Sequence, residues 1–156
     1  MGVNCKWQGH APMSVVADVV GLFMGCARSF DPTYGWVNVA GVRTEPTSVP
    51  KLREIVITLG AQERRFWWHH ESGPGLRSLS ALATVCNVAL VRALGQALGG
   101  TAVLNDADST TETYPAPTGV DLWAKDGADW YRLQALLASI RPLTAEDFEA
   151  VREYAY

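Results

Sequence analysis

From Leu76 to Leu98 the chain is apolar nearly all the way round. Leu79, Leu82, Val85, Cys86, Ala89, Leu90, Ala93, Leu94 and Leu98 follow one another with no polar face between them. A helix of that kind has to be enclosed, so the spacing predicts a central, buried helix over 76–98, capped by Gly99-Gly100. The rest of the chain must supply the layers around it. It has the material: 48% of the 156 residues are hydrophobic and 19% are charged, which suits one globular domain spanning 1–156.

The elements around that helix read as a mixture. Val3, Cys5 and Trp7 alternate with Asn4, Lys6 and Gln8, the period of a strand. Pro12 suits a helix start, and Val15, Val16, Val19, Val20, Phe23 and Cys26 recur at helical spacing, predicting a helix over 13–28. "DPTYG" breaks it, "YGWVNVAGV" reads as a second strand and "TEPTSVP" as a loop. Residues 51–60 are read as a helix ending at Gly60, from Leu52, Ile55, Val56 and Leu59; the β-branched run from Ile55 to Thr58 also suits a strand. "TAVLNDAD" and "TTETYP" form a strand, a turn and a hairpin partner, and "APTGVDLWAKDGA" is a linker. Trp130, Leu133, Leu136, Leu137 and Ile140 line one face of a further helix that ends before Pro142. Thr144 is an N-cap, with Asp147 in the answering position of a capping box. The expected architecture is α+β: a small, mostly antiparallel sheet of three to five strands, covered by helices, with a helical C-terminal third.

Three cysteines, Cys5, Cys26 and Cys86, stand far apart in apolar contexts with no C-x-x-C, which suggests neither a zinc site nor a disulfide framework and fits a reducing cytoplasm. The run from Met13 to Ala27 is interrupted by Asp18 and preceded by a single lysine, unlike a secretory signal. No run approaches the roughly 18 apolar residues of a membrane span. The net charge of −3 argues against a nucleic-acid partner. It is unevenly spread: residues 1–100 hold nine Lys/Arg against six Asp/Glu, and residues 101–156 hold four against ten.

In "RRFWWHHES", Arg64 to Ser72, two arginines, three aromatics, two histidines and a carboxylate stand side by side. As a strand it sends Phe66, Trp68 and His70 to one face and Trp67, His69 and Glu71 to the other, so the adjacent histidines cannot share a metal. It is read as an aromatic core strand with charged ends. The alternative is a small enzyme whose cleft gathers His69, His70 and Glu71 with Arg64 or Arg65. Asp106 and Asp108 in "LNDADSTTE" are read as turn formers, since the further ligands of a calcium loop are missing. No cofactor motif is present, and no metal or cofactor is expected.

The segment "ALGQALGGTAVLNDADST", and the early "KWQGH…FDPTYGW" with its strand, helix and aromatic turn, resemble small bacterial immunity proteins of polymorphic-toxin or contact-dependent competition systems. The resemblance covers about half the chain. It implies a cytoplasmic, non-enzymatic protein that binds and neutralises one cognate toxin, and it carries over no functional residues. The residues expected to meet a toxin domain with a basic surface are those of the acidic third: Asp106, Asp108, Glu112, Tyr114, Asp121, Trp123, Asp126 and Asp129. Trp130 is expected to belong to the core instead. A structural or adaptor subunit of a larger assembly is a further alternative.

Overall fold

The alternation at the start of the chain becomes strand β1, Asn4–Gly9, which buries Cys5 and Trp7 and leaves Asn4, Lys6 and Gln8 on the opposite face. The computed structural model describes residues 2–70 and 76–156. Pro12 opens helix α1, Met13–Met24, and Gly25 stops it with φ +97°, a left-handed conformation that suits glycine. The helix is therefore shorter than the expected 13–28, and Arg28 already belongs to the next strand. That strand, β2 (Arg28–Asp31), pairs with β3 (Trp36–Val39) in a small separate hairpin. "YGWVNVAGV" is not one strand: it turns at Ala40-Gly41, and β4 (Val42–Pro46) takes in the first residues of the expected loop.

Residues 51–60 are not a helix. They form β5, Leu52–Leu59, followed after a two-residue turn by β6, Gln62–His70. Ile55, Val56 and Ile57 are all fully buried, which helical spacing does not explain. Ile55 and Ile57 face the core, while Val56 lies between Arg43 and Arg65 of the neighbouring strands. The β-branched run decides the conformation here.

The apolar stretch 76–98 is two elements. Arg77–Leu82 is strand β7, burying Leu79 and Ala81 in the core, and only Val85–Leu98 is helix α2. Thr84 marks the junction, its side chain accepting a hydrogen bond from the Asn87 amide at 3.3 Å. Within α2 the expectation of burial holds: Val88, Leu90, Val91 and Leu94 have no exposed surface. Strands β8 (Gly100–Asn105) and β9 (Thr110–Tyr114) form the expected hairpin. Helix α3 spans Gly127–Ser139 and α4 spans Ala145–Ala150, followed by a 3₁₀ turn at Arg152–Tyr154. Thr144 and Asp147 form the expected capping box, with the Thr144 amide donating to Asp147 Oδ2 at 2.7 Å.

The fold class is α+β, but the sheet is larger than expected. Among the described residues it has seven strands in the order β4-β5-β6-β7-β1-β8-β9, every pair antiparallel. The extra strands are those hidden in 51–60 and 76–82. The C-terminal third is only partly helical: β8 and β9 occupy 100–105 and 110–114, and its helices are confined to α3, α4 and the 3₁₀ turn. α2 lies over β7, β1, β8 and β9, and α1 over β4 and β5, on the same face of the sheet. Trp7 and Trp68 stack between the layers with ring centroids 6.5 Å apart, and Trp7 Nε1 donates to the Gly99 carbonyl at 2.9 Å. Among the described residues, no helix is long and apolar enough to cross a membrane.

Candidate functional site

Strand alternation takes the aromatic stretch apart. Phe66 and Trp68 are buried in the core, with His70 at 6.5 Å, edge-on to Trp68. Burial, together with Arg77, Arg53 and Lys51, holds the His70 imidazole below its ordinary pKa. Arg64 points to the helix side, its Nη1 donating to the Cys86 sulfur at 3.3 Å. On the other face, Arg65 contacts Glu45, Glu54 and Glu63 at 2.8, 2.6 and 2.7 Å, and Arg43 bridges Glu45 and Glu63 at 2.9 and 3.0 Å. Two arginines are thus held by three glutamates, and this charge is spent within the sheet.

His69 lies on that face with its Nε2 3.3 Å from Ser80 Oγ, at a hollow of about 290 Å³ lined by Asn4, Lys6, Ser78 and Asp106. No carboxylate among the described residues hydrogen-bonds to His69, and Glu71 lies outside those residues. His69 and His70 sit on opposite faces of β6, as the strand alternation requires. No cluster of three or more His, Cys, Asp or Glu among the described residues is arranged to hold a metal ion.

The acidic candidates divide into two groups. Asp106 and Asp108 occupy the β8–β9 turn, where Asp106 Oδ1 accepts from the Asn4 amide at 3.1 Å and Asp108 Oδ1 accepts from the Thr110 amide at 3.0 Å. The Thr110 hydroxyl and amide hold the Asp108 carboxyl below its usual range. Both residues are turn formers, as expected. Glu112 turns to the helix side and pairs with Arg92 at 2.9 Å, while Tyr114 packs so closely on α2 that a Cβ on Gly95 would meet its ring at 2.5 Å. The second group sits at the far end of β1. There Trp123 Nε1 donates to the His10 carbonyl at 3.1 Å, and Arg77 lies 5.8 Å from the indole centroid. Asp121 Oδ1 accepts from the Trp123 amide at 2.9 Å, Asp126 precedes α3, and Asp129 pairs with Arg132 at 2.7 Å. The six residues of β1 set Asp106 and Asp108 about 20 Å from this second group.

The second group adjoins a groove that the sequence did not announce. The β2–β3 hairpin is fastened to α3 at two points. Gln134, only 8% exposed, accepts from the Val37 amide at 2.6 Å. Arg28 Nη1 donates to the Leu137 and Ala138 carbonyls at 2.8 and 2.6 Å, satisfying acceptors that the end of α3 leaves open. Aromatic rings run along the seam. Tyr34 stacks on Trp36 at 4.4 Å, and Trp36 meets Trp130 at 6.0 Å with the ring planes at 74°. Trp130 is half-buried and lines two hollows, of about 300 and 400 Å³. The smaller also takes in Asp18, Trp36 and Gln134, and the larger reaches Leu122, Trp123 and Lys125. Trp130 is both core-packed and site-lining, so the expectation that it belongs to the core is half of the description.

Asp18 is the charged residue of α1, and it has no hydrogen bond or ion pair with any described residue. Burial pushes its carboxyl up to about 6. In the sequence Asp18 stands as the charged interruption of an apolar run. A lone carboxylate on an otherwise apolar helix is the signal that was available; the aromatic partners, more than a hundred positions downstream or on a separate hairpin, were not. No family model, curated protein or solved structure matches the chain.

Proposed function

We propose that the chain is a non-catalytic binding protein that engages one cognate protein partner with a basic surface, as a bacterial immunity protein engages its toxin. The observation that carries this reading is the aromatic seam of Tyr34, Trp36, Trp130 and Trp123. Tyr34, Trp36 and Trp123 keep 62%, 36% and 43% of their surface exposed. Indole and phenol rings are what protein interfaces concentrate at their centres, and each exposed ring is a cost to a protein that does not use it. The carboxylates beside the seam, Asp121, Asp126 and Asp129, are exposed. They would set the sign of the partner's charge and quicken the encounter. Asp106 and Asp108, at the other end of β1, lie outside the contact centre, and Glu112 and Tyr114 serve the fold.

The test is affinity capture from a cell that makes the protein, using the wild-type chain and the Trp36→Ala/Trp123→Ala variant side by side. The expected result is a protein with a basic contact domain that the wild type retains and the variant loses. The same proteins on both baits would overturn the reading.

A further inference from the structure

We propose that the hollow between α1, the β2–β3 hairpin and α3 is a receptor for a single alkylammonium group, a lysine side chain of the partner, with Asp18 as its counter-ion and Trp36 and Trp130 as its aromatic walls. This rests on the partner being a basic protein, but the chemistry of the hollow argues for it separately. A carboxylate withdrawn from water costs free energy unless something pairs with it. The other charged groups on the surrounding elements are already engaged. Arg28 of β2 is bound to the end of α3, Asp31 Oδ1 accepts from the Thr33 amide, and Asp129 and Arg132 of α3 pair with each other. β3 carries no charge, and α1 carries only Asp18. Lys125 lines the adjoining hollow but makes no ion pair with Asp18, so the Asp18 carboxylate is left open to a cation supplied by a partner.

The walls specify what kind of cation. Two indoles meeting at 74° make a corner, and indole is the best ring for a cation to approach. Val15, Leu133 and Leu137 add aliphatic surface to the lining, with Ser14 and Asn38 as its neutral polar members. An apolar stem ending in one positive charge matches that surface: the methylenes lie against the aliphatic side chains and the ammonium reaches Asp18. A hollow of about 300 Å³ admits such a side chain and is open enough for it to enter from a partner. A metal ion is poorly matched, since Asp18 is the one carboxylate in the lining, beside the neutral oxygens of Ser14, Asn38 and Gln134, the last already engaged by Val37.

The proposal is tested without the partner. Nα-acetyl-lysine methylamide is titrated into the purified chain, with the norleucine analogue as the uncharged probe of the same shape. The two-dimensional amide spectrum follows the indole N–H resonances of Trp36 and Trp130. Saturable shifts of both with the lysine probe are expected, at a dissociation constant on the order of millimolar. Asp18→Asn keeps the shape of the side chain and is expected to weaken binding about tenfold. Affinity in the wild type should rise about tenfold as Asp18 ionises between about pH 5 and pH 7, and that rise should vanish in Asp18→Asn. Equal shifts with the norleucine probe, no saturable shift at either indole, or undiminished lysine binding by Asp18→Asn would each overturn the proposal. Failure here with partner capture intact removes the lysine receptor and leaves the binding protein; a working receptor with no basic partner does the reverse.

Discussion

Two pairs of tryptophans show what the surroundings make of one residue type. Trp7 and Trp68 are stacked with planes 21° apart and have no exposed surface, on the core face of the central strands. Trp36 and Trp130 are slightly closer, 6.0 Å against 6.5 Å, yet they meet as a corner and stay open to solvent. The first pair sits where strands β6 and β1 are separated only by β7, so neighbours enclose it on every side. The second joins a two-stranded hairpin to a helix, with no sheet behind it. Ring contact alone therefore does not distinguish a core from a binding seam. The depth of what lies behind the rings does.

The largest expected effect tests the closed pair. Trp68→Ala should destabilise the fold by about 3–5 kcal/mol, the transfer loss plus the cavity left beside Trp7, read as a fall in the urea midpoint. A loss under about 1 kcal/mol would mean that the pair is not the centre of the core.

The next effect has the opposite sign and belongs to the open pair's neighbour. The Asp18 carboxyl is held at about 6 in the folded chain against 3.8 for the free group. The folded state thus keeps its proton over a range where the unfolded chain has lost it. Stability contributed by the protonated group is present below about pH 4 and is lost as the pH climbs through about 6. Asp18→Asn should therefore raise stability near pH 7 by about 1–2 kcal/mol and change little near pH 4, the gain being moderated by water in the hollow. Urea midpoints of the two chains at both pH values decide it. A destabilised variant at neutral pH would show that the carboxylate is held by the fold and is not a site awaiting a partner.

The smallest expected effect completes the contrast. Trp36→Ala should cost under about 1 kcal/mol of stability, because the ring borders solvent and leaves no closed cavity. A loss comparable to Trp68→Ala would make the seam part of the core and end its reading as a site.

The sequence made some of these relations legible and hid others for physical reasons. Cys5 and Trp7 alternate on a strand with one face covered, and Thr144 with Asp147 forms a local cap; both kinds of signal lie within a few residues. Residues 76–82 misled because Leu79 and Leu82 continue the apolar run of α2, while the alternation of Ser78 and Ser80 with Leu79 and Ala81 is only a few residues long. Residues 52–59 misled because Val56, on the outer face, is covered by neighbouring strands and so adds an apolar position that mimics helical spacing. The groove was illegible for a different reason. Asp18, Trp36 and the Trp123–Trp130 stretch come from three separated segments, and nothing local ties a carboxylate on α1 to an indole on α3.

The strand order has a consequence for how the chain is assembled. β4 to β7 form a meander in which each strand meets the next along the chain, so their pairings close short loops. β1 does not share this. It precedes all of them, yet it lies between β7 and β8, where Cys5 pairs with Ala81 and Trp7 with Ala102. During synthesis the first strand has to wait until about residue 105 has emerged before both of its edges are filled. The meander and α2 form the template onto which it docks. Closing loops that long is slow, so the docking of β1 is the step expected to limit the folding rate, with its apolar side chains exposed in the interval.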